Sequence, residues 1–116
     1  MKRILLTLLI TICLALPAYA ANDTDTNVKY FDTTSGASVT GIIKIIAIYW
    51  TSDGGTNLDI AADDDFLLSD ANGHRIIGKR AEAIGDDLGI VFPQPLVSNG
   101  ITVTTMDGGV CYVFVQ

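Results

Sequence analysis

The chain has 116 residues, 49% of them hydrophobic and 17% charged, which is enough for one domain. Seven Lys and Arg stand against thirteen Asp and Glu, for a net charge of −6. Nothing here supplies the clustered cations that phosphate contacts need, so nucleic acid is excluded as an expected partner. One His and two Cys likewise leave little material for zinc sites, disulfide frameworks or nucleophile–base pairs.

Lys2 and Arg3 open the chain, and Ile4 to Leu16 is an apolar run interrupted only by Thr7 and Thr11. Pro17 breaks it, and Ala18-Tyr19-Ala20 sets small residues where a signal peptidase cuts. Residues 1–20 therefore read as a secretory signal helix, its apolar run too short for the about 20 residues a membrane span requires. Cys13 follows the bulky Ile12, which is unlike a lipoprotein processing site. Export to the periplasm, the cell surface or the medium is the expected address, with no membrane contact after cleavage. Five cations then remain, Lys29, Lys44, Arg75, Lys79 and Arg80, against all thirteen acids, a net −8 for residues 21–116. Such charge disfavours anionic surfaces. Cys111 is left without an intramolecular partner, so stability must come from packing.

Residues 21–40 form a polar leader with one apolar knot, Val28, Tyr30 and Phe31, able to supply one short strand. The domain proper is expected over residues 41–116. Gly41 introduces Ile42 to Trp50, a β-branched and aromatic run apolar on both alternating faces except at Lys44. Thr51 to Gly55 reads as a turn. Leu58 to Ala62 reads as a short strand, Asp63 to Asp65 as an interruption, and Phe66 to Ser69 as a further strand. Asp70-Ala71-Asn72-Gly73 is a hairpin turn, with His74 to Lys79 returning. Residues 80–87 fit a loop or one helical turn. Leu88 to Phe92 makes a strand closed by Pro93 and Pro95, and Asn99-Gly100 turns into Ile101 to Met106. Asp107-Gly108-Gly109 leads to the last strand, Val110 to Gln116. About seven or eight short strands spaced by Gly, Asn and Asp turns predict an all-β, antiparallel sandwich or jelly-roll-like barrel.

Few constellations suggest chemistry. Asp59, Asp63, Asp64 and Asp65 are candidate calcium ligands, since calcium takes six to eight oxygens, but no EF-hand spacing is present. Otherwise no cofactor is expected, and a solvated loop guarding a sheet edge is the plainer reading. His74 has no second His to work with. Cys111, between apolar neighbours, reads as a small buried hydrophobe, and Asp86-Asp87 lacks the cleft a glycosidase pair needs. No enzyme is predicted. Tyr49 and Trp50 are candidate contact aromatics for a protein or a sugar, although aromatics at this spacing mostly build core.

The order of features from Gly41 to Val115 resembles small virion-associated proteins of tailed bacteriophages. The residues that carry it are Ile48-Tyr49-Trp50 before a Thr/Ser-Gly loop, and the Asp70-Ala71-Asn72-Gly73 hairpin. A proline-bounded strand follows, leading to Asn99-Gly100-Ile101-Thr102-Val103, and then Val110 to Phe114. The resemblance implies a β-sandwich serving as a capsid decoration, fibre or tail-associated protein in the virion. The residues themselves favour an exported structural or binding module, with a carbohydrate- or calcium-binding surface module as a further alternative. Self-association is expected, with itself or other structural proteins as partners, because two strands carry apolar residues on both faces. Ile43, Ile45, Val113 and Val115 are the predicted interface.

Overall fold

The computed structural model describes residues 24, 27–32, 37–52 and 59–116; residues 1–20, read as a signal helix, lie outside them, as does Asp53. The chain is all-β. β1 (Val28–Phe31), β2 (Ser38–Thr51), β3 (Asp65–Ser69), β4 (Arg75–Arg80), β5 (Leu88–Met106) and β6 (Val110–Val115) form one antiparallel sheet in the order β1-β6-β2-β5-β3-β4.

The described strands number six where about seven or eight were expected. Pro93, Pro95 and Asn99-Gly100 do not end a strand; β5 runs through all of them. Ile45 pairs with Leu96 and Ala47 with Val91, so Phe92 to Pro95 bulge out opposite the single residue Ile46. A bulge tolerates proline because its N–H groups are not needed by the ladder. Residues 59–62 form no strand. Residues 80–87 take the loop alternative beyond Arg80, and the polar leader supplies all of β1 and the start of β2.

The sheet folds over on itself. Trp50 pairs with Leu88 at the start of β5, and Phe66 pairs with Met106 at its end. A straight strand would hold those registers ~60 Å apart, yet the two rings stack at 5.3 Å with planes 12° apart. Two breaks permit the fold-over. Between Val39 and Ile42 the register slips beside Gly41 (φ 90°) and Gly100 (φ 72°), and a side chain at Gly100 would strike the Val39 carbonyl at 2.6 Å. The Ile46 bulge is the second break. Bulges bend a strand and sharpen its twist, so where a sandwich or jelly-roll-like barrel was expected, one continuous six-stranded sheet wraps its own core. Its core is Phe31, Ile45, Ile48, Trp50, Ile60, Phe66, Leu68, Ile101, Val103, Cys111 and Val113, all nearly or fully buried. Trp50 Nε1 donates to the Gly108 carbonyl at 2.8 Å and so pins the β5–β6 turn over that core.

Candidate functional site

Strand alternation decides which residues this core leaves outside. Phe31, Cys111, Trp50 and Leu88 lie in one cross-strand row on the inner side. The adjoining row, Tyr30, Tyr112, Tyr49 and Gly89, therefore faces outward, as does the row Val28, Phe114, Ala47 and Val91. The Tyr30 and Tyr112 rings meet at 5.2 Å, and Tyr49 meets Phe114 edge-on at 5.7 Å. The Tyr49 ring lies over Gly89, where an added Cβ would sit 3.1 Å from it. Aromatic cover of a strand glycine of this kind holds register.

Beyond Ala47 the outward side of β2 continues through Lys44 and Ile42, opposite Val97 and Asn99 of β5. Among the described residues six large hydrophobics are exposed, and five share this stripe: Ile42 (78%), Val97 (63%), Ile46 (37%), Val91 (64%) and Tyr49 (39%). The sixth, Ile84, is in the 80–87 loop. Two shallow hollows join along the stripe. One, of about 450 Å³, lies between Tyr49, Tyr112, Phe114, Leu88 and Asp87. The other, of about 240 Å³, lies between Ile46, Val91, Phe92 and the same Tyr49 and Phe114.

The predicted site residues fall differently. Ile45 and Val113 are fully buried and Val115 is 9% exposed, so these three belong to the core; Ile43 packs half-buried against it. The expected interface was thus placed on the wrong side of β2 and β6. On β2 the cause is the Ile46 bulge, which shifts alternation by one residue and puts Ile43 and Tyr49 on opposite faces. Trp50 is fully buried and cannot be a contact residue, while its neighbour Tyr49 can. Tyr112, Phe114, Val91 and Val97 were not singled out as contacts. Their signal was the alternation itself, had the buried Trp50 been used to set its phase.

The acidic loop is occupied with its own backbone. Asp64 Oδ2 accepts from the Ala61 N–H at 2.8 Å, Asp107 Oδ2 accepts from the Asp65 N–H at 3.1 Å, and Arg80 approaches Asp63 at 3.3 Å. Asp59 is exposed, and among the described residues no group of three or more His, Cys, Asp or Glu is arranged to hold a metal. Asp70 Oδ1 accepts from the N–H groups of Asn72 and His74, both at 2.8 Å, the expected hairpin turn. Burial presses the Asp70 pKa upward, but these N–H groups and the His74 ring outweigh it and hold the carboxyl below its usual range. Asp86 is held low by the Glu82 N–H and by Lys79, whose ammonium sits at 2.5 Å. Burial pushes the Cys111 thiol up to about 12, far from the thiolate a nucleophile needs. These groups pin turns and fill core.

Compared with protein-family models, curated proteins and solved structures, the chain finds no match. The likeness to virion proteins therefore rests on the order of turns and strands alone.

Proposed function

We propose that this chain is an exported, non-enzymatic structural or binding module that works through the outward face of β1-β6-β2-β5. The observation that carries the reading is the gathering of five of the six exposed large hydrophobics on one stripe. At ~150–250 Å² for a fully exposed large side chain, the five present roughly 500 Å², at the upper end of what monomers leave in water. Charge distribution supports the same face. β2 and β5 together carry a single charged residue, Lys44, whereas the acids lie in turns, in edges and in the leader. The signal-like residues 1–20 support export.

A photo-crosslinking residue placed at Val91, with one at the exposed loop residue Glu82 as control, tests the reading in cells that export the chain. Specific adducts at position 91 and none at 82 are expected. Adducts at 82 alone, or at neither position, would overturn it.

A further inference from the structure

The partner of this face follows from its own shape and charge. We infer that it is a second copy of this chain, packed face to face across a two-fold axis near Ala47 and Val91; the inference rests on the reading that this face is the contact surface.

The first argument is area. The five exposed side chains present roughly 500 Å². The half-buried Tyr112 and Phe114 and the polar residues bordering them enlarge the face further, toward the ~800 Å² that one partner contributes to a standard stable interface. The second argument is charge. Residues 21–116 carry a net −8, so two copies meeting at random faces repel. This stripe is different, because β2 and β5 contribute no acid to it. Lys44 stands toward one end. Asp87 borders the hollow at the other end, next to Leu88, which pairs with Trp50. Ala47 and its partner Val91 lie about midway between them along the strands. A two-fold axis there brings Lys44 of each copy to Asp87 of the other, so the face is complementary to itself in sign as well as in polarity. Isologous contact requires that property, with the same patch serving both sides and the assembly closing at two. A nucleic acid or another acidic surface would find one lysine on the stripe, and an extended edge-to-edge partner would leave its apolar area in water.

Sedimentation of the full chain, expressed in a secreting host and purified as exported, tests this between about 1 and 100 µM, at and above the weak end of the affinities that interfaces of standard size show. A monomer–dimer equilibrium is expected. Val91→Glu and, separately, Val97→Glu should each weaken the dimer at least tenfold, with circular dichroism and Trp50 emission unchanged because both sites are exposed. Lys44→Glu and Asp87→Lys should each weaken it several-fold, and the two together should recover most of the loss. A chain that stays monomeric at about 100 µM overturns the inference, as does a dimer indifferent to both valine substitutions. A double charge reversal that fails to recover overturns the proposed axis. If the chain is monomeric while Val91 crosslinks to a different protein, the contact face stands and only the choice of partner fails.

Discussion

Replacing Trp50 by Phe tests the folded-over sheet at its joint. Trp50 is fully buried, stacks on Phe66 at 5.3 Å and donates its indole N–H to the Gly108 carbonyl at 2.8 Å. Phenylalanine keeps a ring on Phe66 but leaves the carbonyl without its donor, a cost of about 1–3 kcal/mol. The lost five-membered ring adds a small void worth about 1 kcal/mol. A loss of about 2–4 kcal/mol is expected, against a total near 5–15 kcal/mol for a domain of this kind. With a urea slope of about 1–3 kcal/mol/M, the unfolding midpoint should fall by ~1–2 M in far-ultraviolet circular dichroism, a probe that does not need the indole. Phe66→Leu alone and with Trp50→Phe completes a cycle, in which the ring pair should show a coupling of about 0.5–1.5 kcal/mol. A midpoint shift under about 0.3 M, or no coupling, would mean that the two halves of the sheet do not meet through these rings.

Four further outcomes follow from other parts of the molecule. Gly109→Ala should cost more than about 3 kcal/mol and leave little folded protein, because φ is 75° and the new Cβ would lie 2.7 Å from Ile60 and 2.9 Å from Trp50 Nε1. Gly85→Ala, at the same φ but with open space around it, should cost only about 1–2 kcal/mol, readable as a small drop in thermal midpoint. Asp70 and Asp86 have folded pKa values below their unfolded ones, so their contribution is present above about pH 4 and is lost as pH falls through the lower folded values; Asp70→Asn with Asp86→Asn should flatten the acid limb of urea midpoint against pH. Cys111, its pKa pushed up to about 12 by burial, should react with a thiol reagent at pH 8 only as fast as the core opens, and immediate labelling of native protein would contradict the burial.

Most strands were legible because their signals are local. The Asp70 to Gly73 turn is made by one carboxylate and one positive φ, both readable from four residues. The knot at Val28, Tyr30 and Phe31 became β1 because a short apolar segment at a chain's start can pair with a strand edge, here that of β6. Strand ends were less legible. Pro93, Pro95 and Gly100 are breakers by chemistry, and whether they stop a strand depends on what stands opposite. Ile46 and the Thr40–Gly41 step stand opposite, and each absorbs the irregularity as a bulge, so β5 continues for 19 residues. The signal helix, the Asp53 turn and the first residue of the expected Leu58 strand lie outside the described residues.

The apolar run in β2 holds the more instructive difference. Ile42 to Trp50 reads as a strand with two apolar faces, and that reading sent Ile43 and Ile45 outward. In the structure one extra residue resolves much of the excess. Ile43 and Ile45 face the core before the bulge, Ile48 and Trp50 face it afterwards, and the change of phase lets one strand serve both halves of a folded sheet. Excess hydrophobicity in a strand can thus record a change of phase rather than a second partner. The bulge does not account for all of it, since Ile42, Ile46 and Tyr49 stay exposed on the outward side, joined by Val91 and Val97 from β5. Ile42, Val91 and Val97, at 78%, 64% and 63% exposed, are not demanded by the core, and in a monomer each would serve solubility better as Thr or Lys. Their gathering on one outward stripe is what the proposed contact would account for, since a buried contact selects apolar residues at such positions.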